Sequence, residues 1–381
     1  MADPLRAMIL GSGFAGQGHA LALRDCGVAI VAMASRTESV VKRVAGELDI
    51  PRAGTDWRPM LAEIEPDIVA VGTPGGTHVE MVGAALTAGC HVYCDKPLAT
   101  TATAARDLYR QARAAGLKTA YAASYRYQPA ALLAKRLIGD GALGPVRELE
   151  CVSHYDWPKR TSFGWPHRLA TGGGRLNNNF THKLAIVLNA LGGTVISATG
   201  ETRNDLKRVP VGPHVHDFRE FRGSALSEAE AARCEWRDVD SDWAYTVLAR
   251  IGAPGSAPGE GVSATFRHSA LRAGRLPDYI AFYGEDGAIH IQGAYAQGPL
   301  FLRLGEAEWR EQPIPDDLRA ALPAIENDTQ RNWTALARDF VADIRGASHG
   351  DYLTFREGWI FQEVIDIVRA AAAWTRLPED A

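Results

Sequence analysis

Gly11-Ser12-Gly13-Phe14-Ala15-Gly16 stands between a short apolar run, Arg6–Leu10, and a helical pattern over Ala15–Cys26. The six residues match G-x-G-x-x-G, and the strand before and helix after them make the match informative. Gly11 allows a tight turn, Gly13 lets the backbone approach a pyrophosphate, and Gly16 lets helix and strand pack closely. Phe14 and Ala15 complete a loop whose N–H groups, with the partial positive charge of the helix start, suit phosphate oxygens. The competing reading is a plain glycine turn in a βα unit.

About 20 residues further on, NAD-specific proteins place a carboxylate on the ribose diol. Here the place holds Ser35, followed by Arg36. No negative charge repels a 2′-phosphate, and a guanidinium is available to pair with one. Arg36 also suits stacking on adenine. The expectation is NADP(H) in preference to NAD(H), with NAD(H) as the second choice. A solvated arginine at a strand end is the alternative.

Outward from this motif, apolar runs and helical patterns alternate. Val28–Ala34, Asp67–Val71, His91–Cys94 and Lys118–Ala122 read as strands. Glu38–Leu48, Trp57–Ile64, Val79–Ala88 and Thr101–Ala115 read as helices. Such alternation predicts right-handed βαβ units and a parallel sheet covered on both faces. After about Tyr121 the pattern changes. Val146–Tyr155 alternates like a strand, His182–Leu191 is helical, and Val195 to Arg303 reads mostly as strands and loops. Val262–Arg267, Tyr279–Tyr283, Ala288–Gln292 and Leu300–Leu304 are candidates, with Gly284-Glu285-Asp286-Gly287 as a hairpin turn. Strands without intervening helices predict an antiparallel sheet. Gln330–Arg345 and Glu357–Trp374 read as terminal helices, and Arg203–Cys234 as a loop or insertion. The predicted fold is an α/β Rossmann dinucleotide-binding domain, residues 1–122. An α+β domain with a large, mostly antiparallel open sheet follows, residues 123–381, whose last helices are free to pack back on the first.

At 381 residues, 46% hydrophobic and 23% charged, the chain has ample material for cores and does not suit intrinsic disorder. A net charge of −4 argues against a general nucleic-acid binder. No apolar run of ~18 residues suits a membrane span, and the start reads as no signal peptide. Cys26, Cys90, Cys94, Cys151 and Cys234 are an odd, scattered set. They make a poor disulfide framework or zinc site, so no metal is expected and a reducing cytoplasm is. His214-x-His216 reads as a solvated loop rather than a ligand pair.

Three further segments carry the chemistry. Thr73-Pro74 follows the Asp67–Val71 strand, with His78 behind it. Cys94-Asp95-Lys96-Pro97 ends the next. Gly172-Gly173-Gly174 precedes Asn178 and His182. In this order the chain resembles the glucose–fructose oxidoreductase / inositol dehydrogenase (Gfo/Idh/MocA) family over essentially its whole length. The resemblance implies an NAD(P)-dependent oxidoreductase acting on CH–OH groups. It places Thr73, Pro74, His78, Asp95, Lys96, Pro97 and Arg126 beside the cofactor, and Lys96 near the nicotinamide. Lys96 and His182 are implied as the catalytic pair. Lys96 orients a substrate oxygen and stabilises its developing charge, while His182 exchanges the hydroxyl proton. The family's aspartate is replaced by Asn178, which hydrogen-bonds but holds no charge. If helical, Asn178 and His182 share a face at i and i+4.

Tyr125, Tyr155, Trp165 and Arg168 join Lys96, Asn178 and His182 as expected substrate contacts. Aromatic faces suit the C–H faces of a carbohydrate-like small molecule, and the polar groups suit its hydroxyls. A buried histidine, a surface lysine and packing aromatics are the bland alternatives. The family further implies a homodimer or homotetramer. Two other functions stay open: a glycosidase- or lyase-type enzyme that retains its nicotinamide, and a non-catalytic dinucleotide-binding regulator.

Overall fold

The structure, a computed structural model, describes residues 4–221, 223–271 and 277–371. The first half of the chain forms a six-stranded parallel sheet. Its strands are β1 (Arg6–Leu10), β2 (Ala29–Ala34), β3 (Ala53–Gly54), β4 (Ile68–Val71), β5 (His91–Cys94) and β6 (Thr119–Tyr121). They lie in the order β3-β2-β1-β4-β5-β6. Between them run α1 (Phe14–Asp25), α2 (Glu38–Glu47), α3 (Trp57–Ile64), α4 (His78–Thr87) and α5 (Ala102–Ala114). Central β4 is buried at every residue, as its unbroken apolar run requires of a strand covered on both faces. The order reverses between β1 and β4, which opens the crevice where such sheets bind ligands. Every motif of the first half follows the C-terminal end of a strand and lies at that edge.

The second half continues with α6 (Pro129–Gly139), β7 (Val146–His154), α7 (Thr181–Leu191) and β8 (Thr194–Arg203). Next come β9 (Arg208–Pro210), α8 (Glu228–Ala231), β10 (Trp236–Asp238), β11 (Ala244–Gly252) and β12 (Val262–Ser269). The series closes with β13 (Tyr279–Gly284), β14 (Gly287–Gln292), β15 (Leu300–Leu304), β16 (Arg310–Gln312), α9 (Asp316–Ala320), α10 (Asp328–Ile344) and α11 (Phe355–Ala370). An eight-stranded sheet runs β16-β15-β14-β13-β7-β12-β11-β8. It is antiparallel except where β7, from earlier in the chain, pairs parallel with β12. The expected hairpin joins β13 to β14. Alternate residues of β7, Leu149 and Cys151, point into a core with Phe266, Phe282 and Val247.

Both terminal helices pack on the first sheet's layers. Trp333 and Phe340 of α10 enter the core formed by Ala20 and Leu23 of α1. The Leu353 carbonyl accepts the Tyr121 N–H at 2.8 Å, so the chain before α11 lies along β6. The expected last helix ends, as described, at Ala370; its predicted end at Trp374 lies outside the described residues.

The segment read as a loop, Arg203–Cys234, has structure of its own. The β9–β10 ribbon brings Leu206, Val209, Phe221 and Val239 onto Trp157 and Trp243 as a small separate core. Among the described residues no helix is long and apolar enough to cross a membrane, and no group of His, Cys, Asp or Glu is arranged to hold a metal ion. All five cysteines are free.

Candidate active site

Gly11 has φ +108°, a conformation that L side chains rarely adopt. A Cβ on Gly16 would stand 2.0 Å from the Gly11 carbonyl oxygen, so only glycine closes this turn. Gly13 is the N-cap of α1; no side chain caps its first N–H groups and no carboxylate lies in its first turn. Those free donors and the absence of negative charge fit a dinucleotide pyrophosphate. The Ser35 hydroxyl lies 2.7 Å from that of Ser12, which ties the end of β2 to the glycine loop. Arg36 beyond it is exposed.

The loop after β5 carries Lys96, whose bond to Pro97 is cis. His78 lies beneath it, fully buried, with Nδ1 2.7 Å from the Pro97 carbonyl oxygen and Nε2 2.8 Å from that of Thr73. Both ring nitrogens are therefore committed to backbone. His78, expected beside the cofactor, instead brackets the two loops that carry Thr73 and Lys96. Burial pushes its pKa down, against the two carbonyl oxygens that favour its proton. Arg126 departs similarly. It is buried and binds Asn189 Oδ1 at 2.6 Å and Asp351 Oδ2 at 2.8 Å, so its guanidinium is spent on packing α7 and the chain before α11.

The Gly172–Gly174 turn leads into one π-helical turn, Leu176–Phe180, before α7. The wider turn, rather than a regular i, i+4 repeat, sets Asn178 and His182. Asn178 Oδ1 accepts from Lys96 Nζ at 3.2 Å. Its amide donates to the Gly172 and Gly174 carbonyls at 3.2 and 2.8 Å. A carboxylate has no proton for those two carbonyls, so this turn suits asparagine and not aspartate. Asn178→Asp is expected to lower stability by about 1–3 kcal/mol, read as a shift in the urea midpoint. An unchanged midpoint would show that the amide bonds contribute nothing.

His182 is 8% exposed and lies edge-on to Tyr125 and Tyr295, at ring distances of 4.7 and 5.4 Å. Tyr125 and Tyr295 stack on each other at 4.7 Å. Burial, then the Lys96 charge, hold the His182 pKa well below the usual histidine range. The imidazole is therefore neutral at physiological pH. Its Nδ1 is buried without a partner among the described residues, which leaves Nε2 as the nitrogen for exchange.

A narrow cleft is lined by Asn178, Arg175, Trp157, Trp165, Phe218 and Trp243. Arg175 lies over the Tyr155 ring at 5.0 Å and donates to His268 Nε2 at 3.1 Å. Arg168, the arginine expected to bind substrate, is exposed, and its carbonyl anchors the Gly173 N–H at 2.9 Å. Both arginines flank the glycine triplet, and it is Arg175, not Arg168, that lines the cleft. Tyr155 is held by Tyr295 at 3.0 Å, and Asn179 donates to the Tyr295 hydroxyl at 2.7 Å. Tyr295, Arg175 and Phe218 were missed. Tyr295 and Phe218 sit in irregular segments with no motif or periodicity around them.

A model of the oxidoreductase family with an NAD-binding Rossmann fold matches residues 5–122, and one of the Gfo/Idh/MocA C-terminal domain matches residues 131–290. The chain belongs to the Gfo/Idh/MocA oxidoreductase family. It is 26% identical over 190 residues to levoglucosan dehydrogenase of Pseudarthrobacter phenanthrenivorans, covering 47% of this chain and 49% of that one. It is 36% identical over 115 residues to D-xylose 1-dehydrogenase (NADP(+)) 2 of Haloferax volcanii, covering 30% and 35%. These matches span about half or less of the relatives' own length. A solved levoglucosan dehydrogenase in complex with NADH and L-sorbose shares the fold, with a TM-score of 0.80 at 19% identity over 96% of this chain and 95% of that one.

Proposed function

We propose that this protein is an NADP(H)-preferring oxidoreductase that moves hydride between the nicotinamide and a carbinol or carbonyl carbon of a sugar, sugar derivative or cyclitol. The observation that carries the reading is the convergence of Lys96, Asn178 and neutral His182 beside an aromatic cleft. The bound nicotinamide supplies or accepts the hydride. Trp165 and Phe218, the less buried rings of the cleft, offer apolar faces to a sugar ring. Lys96, oriented by Asn178, donates a hydrogen bond to the reacting oxygen and stabilises its charge. His182 takes the hydroxyl proton at Nε2 in oxidation and returns it in reduction. The names of the relatives, a levoglucosan and a D-xylose dehydrogenase, support a carbohydrate substrate.

The NADP(H) preference rests on exposed Arg36 beyond Ser35, with no carboxylate at that strand end. Arg36→Ala is expected to weaken NADP⁺ by about 10–100-fold and NAD⁺ far less, measured by calorimetry. Equal losses would remove Arg36 from the 2′-phosphate. The reaction itself is tested by nicotinamide absorbance against a panel of sugars and polyols. No turnover of any of them would overturn the dehydrogenase reading.

A further inference from the structure

The insertion between β8 and β11 does more than form the separate β9–β10 ribbon. Its segment Pro213–Arg219 crosses to the other half of the molecule and lies on the glycine loop. A Cβ on Gly13 would stand 3.2 Å from the His216 carbonyl oxygen, so the segment passes over the face that the second glycine keeps open. Arg219 latches it there. Its Nη2 donates to Gln17 Oε1 of α1 at 2.8 Å, and its guanidinium lies over the Phe14 ring at 5.4 Å. Asp217 fixes the latch in turn, accepting from Arg219 Nε and Nη2 at 2.8 and 2.7 Å and from the Arg219 backbone N–H at 2.8 Å.

The same segment reaches both ends of the crevice. His214 and His216 stand edge to face at 4.5 Å and are exposed. Partial burial, then His216 and Arg36, lower the pKa of His214, so Arg36 is within electrostatic reach of it, and Ser35 just before Arg36 is tied to Ser12 of the glycine loop by a 2.7 Å hydroxyl contact. An anion bound beside Arg36 would favour the protonated form of His214. At the other end Phe218 lies 6.0 Å from Trp165 and 6.2 Å from Trp157, in the wall of the substrate cleft.

We propose that Pro213–Arg219 is part of the dinucleotide site: a strap, latched on α1 by Arg219, that closes over the bound phosphates. His214 beside Arg36 contributes a second group for the adenosine 2′-phosphate. Because the segment passes over Gly13, it must swing off to admit the dinucleotide and then close on it. The Arg219 latch serves the pyrophosphate, which NAD⁺ and NADP⁺ share. The His214 role alone rests on the NADP(H) reading.

Calorimetry with cofactor-free protein separates the two roles. Arg219→Ala is expected to weaken NAD⁺ and NADP⁺ alike, by about tenfold. His214→Ala is expected to weaken NADP⁺ by about fivefold and to leave NAD⁺ unchanged. In parallel, hydrogen exchange of peptides covering residues 213–219 should slow when either dinucleotide is added. Arg219 is exposed, and unchanged thermal stability of the variant will show that the fold is retained. Unchanged affinities in Arg219→Ala together with unchanged exchange would overturn the strap. Equal weakening of both dinucleotides in His214→Ala would overturn the 2′-phosphate role. An Arg36→Ala variant that loses NAD⁺ and NADP⁺ equally defeats the NADP(H) reading without touching the Arg219 result.

Discussion

His182→Ala is expected to lower turnover by about 10²–10⁴-fold with dinucleotide affinity unchanged. The reason is positional. His182 stands edge-on to the stacked Tyr125 and Tyr295 rather than on the glycine loop, so its loss removes a proton acceptor and leaves the phosphate-binding turn intact. Burial and the nearby Lys96 charge keep the ring neutral well below its usual pKa. The oxidation rate of the wild-type protein should therefore hold as pH falls through about 6.5, where an exposed histidine would already be protonated. A structural role would leave turnover near normal and lower only stability. His182→Gln separates the two, since it retains a hydrogen-bonding group of similar reach but exchanges no proton. Restored stability with turnover still lost is the expected result; restored turnover would take His182 out of the proton path.

Acid should destabilise the protein by several kcal/mol before the carboxylates titrate. His19 and His167 are both fully buried, with pKa values lowered to about 4, chiefly by burial. Among the described residues neither nitrogen of His19 has a partner; the ring is wedged between Tyr93 and Trp333 at 4.7 and 5.0 Å. The unfolded chain takes up these protons below about pH 6.5, while the folded chain resists them until about pH 4. Between those limits the unfolded state binds more protons, so stability falls as pH falls. At about pH 5 each of the two histidines costs about 2 kcal/mol. His182 and His268, lowered in the same direction by burial first, add to this. Against a typical total of roughly 5–15 kcal/mol, the effect is large. Urea unfolding at about pH 7.5 and about pH 5 measures it. An unchanged midpoint would mean that these rings are protonated in the folded state.

Much of the first half was legible because its rules are local. The glycine loop, the parallel strands and the loop bearing Lys96 each follow from short spacings and from the sterics of single residues. The π-helical turn was not legible, since nothing in Leu176–Phe180 distinguishes it from an α-helical start. The parallel pairing of β7 with β12 was equally hidden, because it joins strands more than a hundred residues apart.

From its sequence alone, the protein's glycine loop and its alternation of strands and helices could be read, and Lys96 and His182 could be singled out as candidates. Those features depend on backbone conformations that specific residues permit within a few positions. Only the tertiary structure decided which neighbours share the site. It buried His78 and Arg126 in structural bonds, put Arg175 rather than Arg168 in the cleft, and brought Tyr295 and the strap from remote segments. Side-chain direction and long-range approach are set by packing across the whole fold, and neighbouring residues in a chain carry little record of them.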